Sequence, residues 1–152
     1  MEVSIITTIA WDGKILAADS RTTSGSHLIS DTGCKLFQLE GVCFGEDKLL
    51  AIAVSGSCCD TDKVLRYLNI CKSVQDFTHE VDAIIVGVSR VYKLESNSGY
   101  LIPYYKDTKL AYGSGGVFAR SALVLGMTAV DAVKHAMLLD MSTGGEVIHM
   151  EF

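Results

Sequence analysis

Residues 49–55, LLAIAVS, form an almost unbroken apolar run. The run is short for a helix and offers no polar face, so it reads as a strand buried on both sides. A strand of that kind needs one layer above it and another below. The rest of the chain has to supply those layers.

The remaining segments fall into blocks. Residues 3–11 (VSIITTIAW) are rich in β-branched types and lead into Asp12-Gly13. That pair marks a hairpin, because its turn positions need positive φ, and 14–19 form the return strand. Strands are also expected at 34–39, 42–44, 83–89, 91–94 and 99–103. A closing strand is expected at 146–151. Val64, Leu65, Leu68 and Cys71 recur at helical spacing, which predicts a helix over 60–71 capped by Asp60 or Thr61. Gly113-Ser114-Gly115-Gly116 opens a helix over 117–126. Thr128 caps a second over 128–139, and Ser142-Thr143-Gly144-Gly145 stops it. The order ββββ, α, ββ, α, α, β separates strands from helices. It points to an α+β fold of two packed sheets with helices outside, not a doubly wound sheet. With 152 residues, one Pro (Pro103) and no linker, repeat or low-complexity stretch, one domain over 1–152 is expected.

The chain carries 18 acidic and 13 basic side chains, a net charge of −5. That balance excludes a general nucleic-acid binder, whose affinity comes from surplus Lys and Arg. No apolar run approaches the length of a membrane span, and the N-terminus lacks a secretory pattern, so a cytoplasmic protein is expected. Cys34, Cys43, Cys58, Cys59 and Cys71 make an odd set, with no CxxC and no His at zinc spacing. They read as small apolar residues in a reducing compartment. No metal, cofactor or phosphate-binding motif is expected. His27, His79, His135 and His149 show no triad-like grouping.

Several strings carry more specific information. DGKILAADSRTTSG, residues 12–25, contains Asp19, Arg21 and Thr23 at alternate positions, and Lys35 follows Asp19 by sixteen residues. SGSCCD covers 55–60, YGSGGVFA 112–119 and DMSTGG 140–145. Together and in this order they resemble the proteasome β-subunit family of N-terminal-nucleophile (Ntn) hydrolases. The resemblance implies a four-layer αββα sandwich. The chain is short for that fold, so one helical layer is expected to be reduced.

The resemblance also implies a chemistry. The family's nucleophile is the hydroxyl of an N-terminal threonine, with that residue's own α-amine as base. An α-amine ionises near ~8, and a neighbouring ammonium favours its neutral form. By resemblance Lys35 supplies that ammonium and Asp19 fixes it. The N–H of Gly56 serves as oxyanion donor, where glycine permits close approach. Ser114, Asp140 and Thr143 surround the nucleophile, and Arg21, Thr23, Val54 and Cys58 take part in substrate binding. Read without the resemblance, Asp19–Lys35 is a structural ion pair, Ser114 an N-cap and Gly56 a tight turn.

The nucleophile is the difficulty. Thr7-Thr8-Ile9-Ala10 looks like the family's start, but its threonine stands sixteen residues before its aspartate, and sixteen before Asp19 is Val3. By that count Thr7 lies four residues too near the turn, about 13 Å from the site at ~3.3 Å per residue. Thr7 and Thr8 are then ordinary strand residues. Ser4 reaches the site only through a one-residue bulge, and would need Lys35 as base. Ile6 also stands where self-processing relatives usually carry Gly, and Glu2 is large enough that the initiator Met should stay. The reading favoured by the count is a degenerate, non-catalytic or weakly active homologue that binds a peptide, small molecule or protein partner. The alternative is an active threonine- or serine-type peptidase or amide hydrolase. A homo-oligomer, dimer or ring, is expected, because the resemblance implies ring assembly and the high apolar fraction suits buried subunit contacts. An ATP-dependent unfoldase is implied by the resemblance alone.

Overall fold

The computed structural model describes residues 4–5, 8–24, 27–30, 34–57, 64, 81–94 and 101–152. The elements are β1 (Ser4–Ile5), β2 (Ile9–Trp11), β3 (Ile15–Ala18), β4 (Thr22–Ser24), β5 (His27–Ser30), β6 (Leu36–Gln38), β7 (Cys43–Phe44), β8 (Asp47–Ser57), β9 (Val81–Gly87), β10 (Arg90–Leu94), β11 (Leu101–Tyr105) and β12 (Leu110–Tyr112). Helices α1 (Gly116–Val124) and α2 (Ala129–Leu139) follow, and β13 (Ile148–Glu151) closes the chain. Among the described residues these form an α+β sandwich with antiparallel pairing throughout.

One sheet runs β11-β10-β9-β8-β1-β4-β5, with β6 and β7 also paired to β8; the other runs β12-β2-β3-β13. Their facing sides bury Ile9, Trp11, Leu16 and Ala18 against Leu36, Ala51, Ala53, Ile84 and Val86. The far side of the small sheet presents Ala10 and Ala17 to α1 and α2, whose buried positions are mostly alanine. Small side chains on both surfaces let the helices sit close to the sheet. The far side of the large sheet buries Ile52, Val54, Ile85 and Leu94 with Val64. Thus β8 is covered on both faces, as its apolar run requires.

Three expectations need correction. The β-branched run 3–11 is not one strand: Ser4–Ile5 and Ile9–Trp11 belong to different sheets. Composition marks a run as extended but says nothing about which sheet it joins. Strands β4, β5 and β12 were not expected, because threonine, serine and short length hide them. Ser114 does not cap α1; Gly115 is the N-cap, and no side chain caps that end. Thr128 does cap α2, accepting the Asp131 N–H. Of the helix expected over 60–71, Val64 alone is described, and it is helical and buried. Cys34 is exposed, not buried, while Cys58, Cys59 and Cys71 lie outside the described residues.

The Asp12-Gly13 turn does more than reverse the chain. Asp12 Oδ1 accepts the N–H groups of Lys14 and Ile15, both at 2.8 Å. Its Oδ2 accepts the N–H of Ala129, the first residue of α2, also at 2.8 Å. One carboxylate therefore closes the hairpin and meets the positive end of a helix. At the same end of the molecule Asp47 accepts from Tyr92 Oη (2.7 Å), the Ser89 N–H (2.9 Å) and the Arg90 N–H (3.2 Å). Burial pushes this carboxyl up, but those donors outweigh it and hold it below 3.8. Burial and Asp47 together push the Tyr92 phenol up to about 12.

Asp47→Ala should therefore destabilise the fold by about 3 kcal/mol at pH 7, since it leaves three donors without their acceptor. A carboxyl whose folded value is depressed stabilises above its unfolded value and loses that contribution as pH falls through the folded one. Urea denaturation should show the wild-type advantage at pH 7 and its shrinkage below about pH 3.8. An advantage that is unchanged at low pH would contradict this account.

Candidate functional site

At the opposite end of the small sheet, β3 runs into Asp19. This carboxylate is wholly buried, as is Lys35, and Lys35 Nζ lies 2.6 Å from Asp19 Oδ1. Two buried charges cost several kcal/mol unless their remaining hydrogen bonds are met. Asp19 meets them: Oδ1 also accepts the Thr8 N–H at 3.2 Å, and Oδ2 accepts the Gly144 N–H at 2.9 Å. The Lys35 carbonyl accepts the Val54 N–H at 2.9 Å, which fixes the lysine against β8.

Thr8 stands where the count along the chain said it would not. Its carbonyl accepts the Asp19 N–H at 3.2 Å, continuing the pairing of Ile9 with Ala18. Thr8 therefore lies directly across the hairpin from Asp19. The reason is geometric: a hairpin shortened by four residues loses two from each strand, so the residues beyond its open end stay opposite one another. Counting along the chain measures hairpin length, whereas the site depends on cross-strand register.

The other side of Thr8 faces a hydroxyl–carboxylate cluster. Thr8 Oγ1 is 2.8 Å from Thr143 Oγ1, and Thr143 Oγ1 donates to Asp140 Oδ2 at 2.5 Å. Ser114 Oγ donates to the same oxygen at 2.6 Å. Burial pushes the Asp140 carboxyl up, but the Ser114 and Thr143 hydroxyls and the Ser142 N–H hold it below the usual range. Two glycines make room for this cluster. A Cβ on Gly115 would stand 2.2 Å from Thr8 Oγ1, and one on Gly144 would stand 2.3 Å from Arg21 Cζ. Arg21 lies over Gly144 and donates to the Met141 carbonyl at 2.8 Å, tying the 140–145 loop to the segment after β3.

Beside this cluster lies a main-chain groove. Its walls are β4 and the end of β8, and β1 fills it: Ser4 pairs with Thr23 on one side and Ser57 on the other, and Ile5 pairs with Gly56. Over Ser4 and Ile5 the pairing of β1 with β8 shows no register shift. Gly56 has φ of 149°, a backbone conformation that L side chains rarely adopt. Thr23 is nearly buried; Val54 is wholly buried and packs in the core on the far side of the large sheet. Thr7 and Cys58 lie outside the described residues.

Of the residues singled out in the sequence, Asp19, Lys35, Ser114, Asp140 and Thr143 converge within hydrogen-bonded reach of Thr8. The Gly144 N–H and the Gly115 clearance were missed. Among the described residues no group of three or more His, Cys, Asp and Glu side chains is placed to hold a metal, and no helix is long and apolar enough to cross a membrane.

No protein-family model matches this sequence, and no curated protein does. Solved structures share the fold. Eukaryotic HslV from Trypanosoma brucei superposes with a TM-score of 0.73 at 20% identity, over 96% of this chain and 100% of that one. Thiobacillus denitrificans BPH in complex with epoxomicin gives 0.66 at 17% identity, over 96% and 98%. A further structure of Thiobacillus denitrificans BPH gives 0.66 at 16%, over 96% and 97%. The chain thus shares the fold of these structures, an α+β sandwich of two antiparallel sheets with reduced helical content among the described residues.

Proposed function

We propose that this chain is the precursor of a threonine-type amide hydrolase, with Thr7 as nucleophile once residues 1–6 are removed. The observation that carries the reading is the Thr8 N–H on Asp19 Oδ1, 3.2 Å away. Thr7 is bonded to Thr8, and consecutive Cα atoms are 3.8 Å apart. Thr8 thus bonds to the Asp19–Lys35 pair and to the Ser114–Asp140–Thr143 cluster, and Thr7 is the residue that precedes it in the chain. In this reading the Thr7 hydroxyl attacks the Ile6 carbonyl carbon. A C–O bond forms, the C–N bond breaks, and the amide nitrogen takes the hydroxyl proton. Water then hydrolyses the ester, which releases residues 1–6 as a carboxylate and leaves Thr7 with a free α-amine as base. The Gly56 N–H stabilises the oxyanion and Lys35 keeps the amine neutral.

The experiment is the intact mass of untagged protein expressed from its own start codon. A chain that begins at Thr7 is the expected result. A chain that keeps Met1 or Glu2, with no hydrolysis of any peptide amide, would leave the degenerate reading, a homologue that holds a ligand or partner in the groove. If the chain begins at Thr7, epoxomicin, bound in the Thiobacillus denitrificans structure, should suppress its hydrolysis of peptides.

A cytoplasmic homo-oligomer, dimer or ring, completes the proposal. Its support is the outer helical surface, where Val117, Leu138 and Met141 are 78%, 81% and 92% exposed. Light scattering at micromolar concentration should give a mass above that of one chain, and a monomer there would remove this part.

A further inference from the structure

We infer that Arg21 is a positioning residue: its guanidinium, laid flat on Gly144, holds the loop after α2 so that Asp140 and Thr143 stand at Thr8. This role rests on the hydrolase reading. It makes Arg21 act through the loop, where the resemblance implies a contact with substrate.

The loop needs a hold from outside. It leaves the C-terminal end of α2, which is electronegative, and a cation there is stabilising. The last turn of α2 carries no basic residue, and its C-cap is the acidic Asp140. Gly144 and Gly145 follow, the latter with φ of 76°, and glycines add backbone freedom that must be removed to fix the loop.

Three consecutive residues after β3 supply the hold. Asp19 Oδ2 accepts the Gly144 N–H at 2.9 Å. The Ser20 N–H donates to the Gly144 carbonyl at 3.1 Å, and Ser20 Oγ donates to the Glu146 carbonyl at 2.6 Å. Arg21 Nη1 donates to the Met141 carbonyl at 2.8 Å, just past the end of α2. The first three bonds grip 144–146 and the Arg21 bond grips 141. Thr143 lies between the two grips, and its hydroxyl joins Thr8 to Asp140.

Gly144 is shaped for this cation. A Cβ there would stand 2.3 Å from Arg21 Cζ, 2.5 Å from Nη2 and 2.6 Å from Nε. Near-equal distances to three guanidinium atoms put the plane face-on to the glycine. Arginine can stack in this way and still donate to Met141, whereas lysine has no plane to stack.

The test compares the full wild-type chain with Arg21→Ala, Gly144→Ala and the double variant. Intact mass over time reads the release of residues 1–6. An aminocoumarin amide of acetyl-Ser-Ile-Ile reads kcat and KM, and hydrogen exchange reads the amides of 140–146. Arg21→Ala should slow release and lower kcat by about 10²-fold, the cost of a displacement near 1 Å at a reacting site. KM should stay within about twofold, since substrate contacts are intact. The 140–146 amides should exchange faster. Gly144→Ala should show the same losses, because its Cβ takes the place of the cation, and the double variant should be no slower than either alone. Millimolar guanidinium should restore part of the Arg21→Ala rate, and methylammonium should not. A raised KM at unchanged kcat would make Arg21 a substrate contact and overturn the inference while the hydrolase stands. Additive losses in the double variant would overturn the stacking on Gly144. Unaltered exchange at 140–146 in Arg21→Ala would overturn the hold, whether or not the chain cleaves amides. A wild-type chain that keeps residues 1–6 and turns over no amide would overturn the hydrolase reading and the positioning role with it.

Discussion

The Thr7→Ala chain should accumulate with residues 1–6 still attached, while the wild-type chain loses them. It should hydrolyse peptide amides on the order of 10⁴-fold or more slowly, because removal of a nucleophile leaves only the assistance of the surrounding site. Ser4→Ala should process at the wild-type rate, since Ser4 sits within the paired β1 strand. Thr8→Ala should be slowed but not silent: it loses the 2.8 Å contact with Thr143 and keeps the main-chain bonds to Asp19. Intact mass and an initial-rate assay read all three. Processing by the Thr7→Ala chain at the wild-type rate would remove Thr7 from the mechanism and return attention to a bound partner.

The second large effect is expected at Lys35. Lys35→Ala should reduce hydrolysis by about 10³-fold or more, because the group that biases the amine and hydroxyl protons is gone. It should also destabilise the fold by about 3–5 kcal/mol, since Asp19 is then a buried charge without its partner. The two effects separate in the double variant Asp19→Asn with Lys35→Met. Replacing both members of a buried pair with neutral groups commonly restores stability. Urea denaturation should show that recovery and the rate assay should not. Recovery of hydrolysis along with stability would make the pair purely structural.

Much of this architecture was legible in the residues. The doubly buried run at 49–55 became β8, the Gly-rich string at 113–116 opened α1, and Thr128 capped α2, each through local chemistry that the surrounding fold does not override. The division of 3–11 between two sheets was not legible, because a β-branched run carries no information about its neighbours. The position of Thr8 was hidden for a different reason. Spacing along a chain is a one-dimensional measure, and hairpin pairing is two-dimensional. The Asp-Gly pair marks the turn only to within a residue: the observed register centres it on Gly13 and Lys14 and sets Thr8 opposite Asp19, whereas folding about Asp12-Gly13 would set Thr8 opposite Ala17. The roles of Gly115 and Gly144 were hidden because a glycine's clearance depends on what approaches it, and the Thr8 hydroxyl and Arg21 guanidinium come from distant parts of the chain.

The place of β1 has a mechanical consequence. Among the described residues β1 alone links the β8 side of the large sheet, with five further strands, to the β4–β5 hairpin. On the proposed loss of residues 1–6, a slot two hydrogen-bonded spacings wide, about 9.5 Å, would open between two strand edges whose N–H and C=O groups lose their partners. The mature protein is then a sheet with its middle strand missing. In the proposed hydrolase each incoming peptide would act as the keystone of that sheet before it is a substrate, and each turnover would take the keystone out again. The fold would therefore be most rigid when loaded and most open to further extended chain just after release.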